Sequence, residues 1–350
     1  MAVTAKRKWQ ELDLLCRTGA GLAAIAPIAC RILRELVGAD AAALFWIDRS
    51  GLPEGFFHED SPAEARDLFV NEFERLFLGP AEINVAALAK PSVKPGGRLL
   101  APPSEYFRSN TFNLLVRASG HHHALDLRID HEGRARAIVL LFRAVGRRAF
   151  TEADLACLNS TAGPLTWALD DATAEEEWEP ASRKGLVLVD ASGSRLLMIN
   201  DSADEILRSV NTVGQDIQIT GPIHTPPRFI RRVCAELAQG GAPRAILPMP
   251  SGRLVVTPER LRTPQGDDGA ILVSMQAETP RSLRVFEQLM AYDLSPKQRG
   301  IMMSAALGHD RSETAARTRT SEEAMKKHLG SIYEATGARS WDAMTRLLRS

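Results

Sequence analysis

The chain is predicted to be an α+β protein with two consecutive sensor-like units, followed by an all-α unit at its C-terminal end. Two groups of strand-like apolar stretches, each flanked by helix-like stretches, predict two antiparallel sheets. A short acidic stretch around residue 175 separates the two groups. Beyond residue 280, apolar residues recur only at helical spacing. A chain of 350 residues is long enough for two or three units, each with its own core.

Composition limits the function classes. The chain is 45% hydrophobic and 25% charged, which is ordinary for a soluble globular protein, and its 43 basic and 43 acidic residues balance. Any affinity for nucleic acid must therefore be local. Between Leu294 and Ser350 there are ten Lys and Arg residues against six Asp and Glu residues, in addition to His309 and His328. The N-terminus has no apolar signal core and no apolar run reaches membrane-spanning length, so we expect a cytoplasmic protein without a membrane partner.

The cysteines and histidines give little support to a metal site. Cys16, Cys30, Cys157 and Cys234 are scattered and form no C-x-x-C pattern, so isolated buried thiols are predicted. The run His121–His123 raises the hypothesis of a metal or haem site. Adjacent strand residues point to opposite faces, so the three rings cannot all ligate one ion. We expect one of them to point inward, and we predict no metal, no cofactor, no catalytic residues and no enzymatic activity.

The first group of elements spans about residues 1–170. Apolar periodicity, turn residues and a Thr-Glu helix start predict the following order. The elements are a helix at Trp9–Val37, a strand at Ala41–Asp48, a helix at Pro62–Phe77, mostly loop at Gly79–Pro103, strands at Leu114–Val116, Ala124–Ile129 and Ala137–Phe142, and a helix from Thr151 through Leu169.

An acidic linker at 171–184 precedes the second group, which spans 185–279. A hairpin, two helices and three closing strands are predicted, with Gln265–Gly269 as the last hairpin loop. The helices are a short one from Asn200 and one at Pro226–Gln239, and the closing strands are Arg244–Leu247, Gly252–Leu261 and Ala270–Gln276. A connector helix at 280–293 carries one apolar stripe. This stripe either pairs with a second copy of the chain or belongs to the core.

Two short helices joined by a three-residue turn are predicted between Arg311 and Thr336. Ser321 followed by Glu322 and Glu323 is typical of a helix start, because the hydroxyl accepts a free N–H and acids suit the positive helix end. This outline is that of a helix-turn-helix. A surface helical hairpin with a solvated basic face fits the pattern equally well.

Both sheet-containing units resemble known sensor families. The first resembles a GAF domain over about residues 10–170, through Val37–Asp48 and through R-A-I-V-L-L-F-R and F-T-E-A-D-L-A-C-L within Arg136–Leu158. The second resembles a PAS domain over about residues 182–278, mainly through its opening hairpin and the N-x-S-A motif that begins at Asn200. The resemblances imply antiparallel sheets with flanking helices and a role in sensing or in assembly. Sensing would involve a small-molecule effector of unknown identity, whereas assembly would need none.

The C-terminal unit, 294–350, resembles a LuxR-type (GerE) helix-turn-helix domain without a gap. L-S-P-K-Q-R from Leu294 corresponds to L-T-P-R-E-R of the family, and Gly308 to its glycine after the first helix. E-T-A from Glu313 corresponds to E-I-A. T-S-E-E-A-M-K-K-H-L-G-S-I-Y from Thr320 corresponds to I-S-E-x-T-V-K-x-H-L-x-x-I-Y, and Gly337 to the L-G-V glycine. The resemblance implies four helices, with the third entering the DNA major groove.

Position by position, the resemblance implies which residues contact DNA. Lys326 and Lys327 correspond to residues near base edges, where lysine can donate to guanine. The full predicted set is Arg319, Thr320, Ser321, Lys326, Lys327, His328 and Ser331. The alternative for the lysines is a solvated basic face, and for His328 a packed structural histidine.

Four departures from the family pattern affect affinity more than fold. Gly300 replaces an acid in the first helix, and Ala324 replaces a threonine that contacts phosphate. Thr318-Arg319 replaces a Leu-Gly turn, so a residue with a β-carbon occupies a position where glycine relaxes strain. Gly330 leaves a groove-facing position without a side chain.

The leading hypothesis is a DNA-binding transcriptional regulator that binds a two-fold promoter site as a homodimer; contact with RNA polymerase is left open. A second hypothesis treats the sensor-like units as ligand-free dimerisation or protein-docking scaffolds. A third is a small-molecule-binding protein with a vestigial helix-turn-helix. DNA binding and a co-purified ligand discriminate among the three.

Overall fold

The computed structural model describes residues 3–169, 176–262, 264 and 268–348. The predicted fold class is confirmed, because two antiparallel sheets with flanking helices precede a group of helices.

The first sheet consists of β1 (Ala41–Ile47), β2 (Pro53–His58), β3 (His121–His131) and β4 (Arg134–Ala144). Their order in the sheet is β2-β1-β4-β3, and the sheet is covered on both faces. Its central strand β1 is buried throughout. Ala42, Leu44 and Trp46 face one core with the N-terminal helices, whereas Ala43 and Phe45 face another. The elements are α1 (Val3–Cys16), α2 (Leu22–Val37), β1 (Ala41–Ile47), β2 (Pro53–His58), α3 (Ala63–Asn71), α4 (Phe73–Leu76), α5 (Val85–Leu88), a 3₁₀ turn (Ser104–Arg108), a π-helical turn (Thr111–Val116), β3 (His121–His131), β4 (Arg134–Ala144), α6 (Glu152–Asn159) and α7 (Ala162–Thr166).

The second sheet consists of β5 (Trp178–Asp190), β6 (Leu196–Ile199), β7 (Ala245–Met249), β8 (Gly252–Arg262) and β9 (Asp268–Pro280). Their order in the sheet is β6-β5-β9-β8-β7, and neighbouring strands are antiparallel. Gly252 opens β8 where a Cβ would lie 1.9 Å from the carbonyl oxygen of Glu278, so only glycine fits there. The elements are β5 (Trp178–Asp190), β6 (Leu196–Ile199), α8 (Asp201–Ser209), α9 (Arg228–Ala238), β7 (Ala245–Met249), β8 (Gly252–Arg262) and β9 (Asp268–Pro280).

Five helices follow, and their core is continuous with that of the N-terminal helices. They are α10 (Arg281–Met290), α11 (Pro296–Ala306), α12 (Arg311–Arg317), α13 (Glu322–Thr336) and α14 (Trp341–Leu347). The predicted connector helix is α10, and its stripe of Leu283, Phe286 and Leu289 is buried within the chain. The stripe therefore belongs to the core and is not free to pair with a second copy.

Several predicted elements were wrong. The single helix at Trp9–Val37 is two helices, because the chain turns through Gly19 and Gly21, whose φ angles are 77° and 84°. The strand at Leu114–Val116 is instead part of the π-helical turn. The helix from Thr151 to Leu169 is interrupted between α6 and α7.

Two further differences concern strand ends. Strand β2 was not predicted, since Pro53 and Gly55 are unfavourable in strands. Residues 178–184 of the expected linker belong to β5. Residues 171–175 of that linker, and most of the predicted hairpin loop at Gln265–Gly269, lie outside the described residues. The prediction for the cysteines agrees with the structure, where Cys16, Cys30 and Cys234 are buried free thiols and Cys157 is half-buried.

Candidate nucleic-acid interface and sensor cavity

Helices α12 and α13 are defined by side-chain caps. Asp310 accepts a hydrogen bond from the Glu313 backbone N–H at 2.8 Å, and the Glu313 carboxylate accepts one from the Asp310 N–H at 2.9 Å. Ser321 caps α13, with the Ala324 N–H 3.3 Å from its Oγ. Gly337, at φ 72°, ends the helix. The predicted helix boundaries are therefore explained by local sequence.

The turn between the two helices is tight and held by hydroxyl groups. Thr318 donates from Oγ1 to the Thr314 carbonyl oxygen at 2.7 Å, and its Oγ1 lies 2.8 Å from that of Thr320. The Lys297 ammonium bonds the Thr318 carbonyl oxygen. Arg319 has φ 48°, in the left-handed region that disfavours a β-carbon. The predicted strain at this position is confirmed.

Helix α13 has one apolar and one polar face. Its inner face buries three side chains, Met325, Leu329 and Ile332. Lys326 and Lys327 are exposed, and among the described residues neither lies within ion-pairing distance of a carboxylate. The exposed polar face of α13, which we call the reading face after its predicted role, thus presents the two lysine ammonium groups to solvent, free of salt bridges within the described residues.

The remaining predicted DNA contacts also lie on or next to this face. Arg319, Ser321 and Ser331 are exposed, whereas Thr320 and His328 are half-buried. The Cβ position of Gly330 faces open space, which agrees with the expected gap in the face. The structure brings all seven predicted residues to the turn and to one helix. Their contact with DNA stays a prediction, and a packing role for half-buried His328 stays open.

Behind the face, polar contacts fix the helices to one another. The hydroxyls of Ser304 on α11 and Thr314 on α12 are 3.0 Å apart and buried. Arg299 of α11 is 2% exposed and reaches Glu11 of α1. Helix α11 therefore joins the helix-turn-helix to the N-terminal part of the chain, and the reading face of α13 stays exposed.

A second candidate site is a cavity with a volume of about 50 Å³, which we call the sensor cavity. It lies on the face of the first sheet that carries Phe45. Its walls are mainly aromatic and aliphatic, including Phe45, Phe56, Phe69 and Phe142, and no Lys, Arg, Asp or Glu lines it. The hydroxyl of Tyr106 is buried there without a hydrogen-bond partner among the described residues. This arrangement can hold a small uncharged group with one polar atom. Sequence reasoning missed it, because its residues come from separate strands, helices and turns without a shared motif.

The histidine run lies beside this cavity and behaves as predicted, with one ring inside. His121 is 5% exposed and its ring stacks on Phe142 at 5.1 Å, while His122 and His123 are half-buried. Burial lowers the pKa of His121, and burial together with the nearby His121 lowers the pKa of His58 to about 3. Both rings are therefore neutral at physiological pH. Within the described ranges, no group of three or more His, Cys, Asp or Glu side chains could hold a metal ion.

In the part of the chain that the structure describes, no helix has both the length and the apolar character that spanning a membrane requires.

No protein-family model matches the chain, and no curated protein matches it. Among solved structures, it is similar to Vibrio cholerae VqmA in a ligand–DNA complex, with 13% identity over 47% of this chain and 81% of that chain and a TM-score of 0.26. A phage VqmA–DPO complex has 12% identity, the same coverage and a TM-score of 0.21. The Escherichia coli DhaR(N)–DhaL complex has 16% identity over 79% of this chain and 90% of that chain, with a TM-score of 0.20. Likenesses this weak carry no argument about fold or function.

Proposed function

We propose that the chain is a cytoplasmic, sequence-specific DNA-binding transcriptional regulator. Helices α12 and α13 form its DNA-reading part, and the two sheet-containing units form its sensory or dimerisation part. In this proposal, the protein binds a two-fold promoter site as a homodimer, and α13 enters the major groove as the LuxR-type resemblance implies.

One observation supports the proposal most. A capped helix pair with a hydroxyl-braced turn exposes Lys326 and Lys327 side by side, free of intramolecular ion pairs in the described part of the chain. A solvated basic face at an arbitrary place would need neither the tight turn nor the strained Arg319. In the proposed complex, the lysines contact base edges and Arg319, Thr320, Ser321, His328 and Ser331 lie near the DNA backbone.

The test is selection from a random double-stranded DNA library, followed by fluorescence anisotropy on the enriched sequence. We expect a two-fold motif whose binding weakens linearly in a plot of log K against log salt. Lys326→Ala/Lys327→Ala should lose at least about tenfold in affinity, because each lysine supplies a charge-assisted contact.

Lys90→Ala/Lys94→Ala is the matched control, because it removes two charges from exposed lysines far along the chain. It should bind like the wild type, and both double variants should retain the wild-type circular dichroism spectrum. Enrichment of no motif, or equal affinity of the wild type and the Lys326/Lys327 variant, would contradict the proposal. The vestigial helix-turn-helix would then be the better hypothesis.

For the sensory part, the supporting observation is the uncharged cavity with the unpartnered Tyr106 hydroxyl. Mass spectrometry of the purified protein, combined with a thermal-shift screen of small uncharged compounds, tests whether it holds an effector. A bound compound whose stabilisation is lost in Tyr106→Phe supports sensing. A protein without any bound or stabilising compound that still forms a DNA-binding dimer supports the scaffold alternative.

A further inference from the structure

A cleft between the two sheet-containing units has the features of an anion site. Its volume is about 390 Å³, within the range of small-molecule pockets. The first unit contributes the start of α2, together with Trp46 and Arg136. The second unit contributes Trp178 and Arg253. The cleft is separate from both the reading face and the sensor cavity.

The N-terminal end of α2 opens into this cleft without a cap. Its N-cap residue is Gly21, which has no side chain to accept a hydrogen bond, and the first turn contains no acid. Within the described residues, the backbone N–H groups of Leu22, Ala23 and Ala24 have no acceptor, although all three residues are buried. Free N–H groups and the helix dipole of this 16-residue helix favour a negatively charged group.

Two side chains in the walls supply independent evidence for a missing partner. Trp46 is 6% exposed, and its indole Nε1–H is buried without an acceptor among the described residues. Arg136 lines the same cleft, and no carboxylate in the described part of the chain pairs with it. A buried donor without an acceptor destabilises the folded protein, so a ligand that accepts from Trp46 would remove that penalty.

The charged side chains that line the cleft in the described part of the chain favour a ligand with one negative charge over a ligand with two. Arg253 is already occupied, because it pairs with Glu278 at 2.7 Å and stacks on Trp178 at 3.9 Å. Glu54 also lines the cleft and adds one negative charge. Among the described residues that line the cleft, Arg136 is thus the main cation for a ligand, and a single cation suits a monoanion better than a dianion such as phosphate.

The remaining lining residues indicate which chemical group the ligand carries beside its anionic head. Ile47, Leu169, Ile246 and Pro248 supply an apolar surface beside the polar end. Such a surface suits an alkyl or ring group attached to the anionic head.

We propose that this cleft binds a small organic carboxylate. The carboxylate accepts hydrogen bonds from the first turn of α2, from the Trp46 indole and from Arg136, and the apolar part of the ligand packs on the apolar lining that both units supply. Binding would join the two units across the cleft. The inference does not depend on DNA binding, and its test uses no DNA.

The experiment is a titration of the full-length protein with hexanoate, followed by intrinsic tryptophan fluorescence, because Trp46 and Trp178 form part of the cleft. Hexanamide has the same shape without the charge, and inorganic phosphate has charge without an apolar part. Hexanoate should saturate the signal, and hexanamide should bind at least about tenfold more weakly, since a charge-assisted contact is lost.

Arg136→Gln should weaken hexanoate binding by at least about tenfold. Arg134→Gln is the matched control, because it removes the same charge from the same strand outside the cleft and should bind hexanoate like the wild type. The proposal is overturned if hexanoate gives no saturable signal, if Arg136→Gln binds it unchanged, or if phosphate or hexanamide binds at least as tightly.

Discussion

Glu11 and Arg299 form a buried ion pair between α1, the first helix of the chain, and α11, the helix that precedes the helix-turn-helix pair α12 and α13. The Glu11 Oε1 and Arg299 Nη1 atoms are 3.0 Å apart, although 288 positions separate the residues. Burial alone would raise the pKa of Glu11, but the hydrogen bond from Arg299 and the charge of Lys8 outweigh it, so this pKa is lowered. Both side chains are therefore charged, and their ion pair holds α11 against α1.

Removing one member of this pair should be strongly destabilising. Glu11→Ala leaves Arg299 charged and buried, and we expect the free energy of unfolding to fall by about 3 kcal/mol or more. Urea unfolding followed by circular dichroism measures the change. Because the pKa of Glu11 is lowered on folding, its stabilising contribution is present above the unfolded-state pKa and is lost as pH falls through the lower folded-state value.

The charge-neutral double variant separates pairing from packing. Glu11→Leu/Arg299→Met removes both charges and keeps much of the buried volume, so it should recover most of the stability lost in Glu11→Ala. A Glu11→Ala protein within about 0.5 kcal/mol of the wild type would show that the contact contributes little.

A second prediction concerns the neutral histidines beside the sensor cavity. The pKa of His58 is about 3, and that of His121 is lowered although Asp60 and Asp40 oppose the effect of burial. The unfolded chain therefore binds more protons than the folded protein below the ordinary histidine pKa, and stability should fall as pH drops from about 7 towards 4. Unfolding measured across this pH range should show the decline.

His121→Phe tests how much of this pH dependence of stability comes from the His121 ring. Both His121 nitrogens are buried without partners in the described part of the chain, and its ring stacks on Phe142. Phenylalanine keeps the stacking and removes the unsatisfied groups, so the variant should be at least as stable as the wild type at neutral pH. Its pH dependence should be shallower by up to about 1.4 kcal/mol per pH unit. A variant that is less stable and equally pH-sensitive would contradict this account.

How far the sequence predicts the structure depends on whether the signal is local. Caps and periodicity located α12 and α13, because Asp310, Ser321 and Gly337 act within one turn of their own position. The sensor cavity and the cleft were not predicted, because Tyr106 and Arg136 line them together with residues that are far away in the sequence. The Glu11–Arg299 pair was missed for the same reason. Strand β2 was missed because pairing with β1 overrides the poor strand preference of Gly55.

The last prediction concerns Arg319, where the sequence suggested strain and the structure has φ 48°. Arg319→Gly relieves the left-handed strain but adds backbone freedom to the unfolded chain, so we expect a net gain of up to about 1 kcal/mol in stability. If Arg319 also contacts a phosphate, the same variant should bind the selected DNA more weakly. The slope of log K against log salt should then be shallower by about 1.

Arg319→Lys separates the two effects, because it keeps both the charge and the β-carbon. Its stability and salt slope should match the wild type, while the glycine variant differs in both. A glycine variant that is less stable would show that the turn does not store strain at this residue. A glycine variant that is more stable but has an unchanged salt slope would show that Arg319 lies away from the DNA phosphates. The contacts with phosphate in this region would then come from residues of α13.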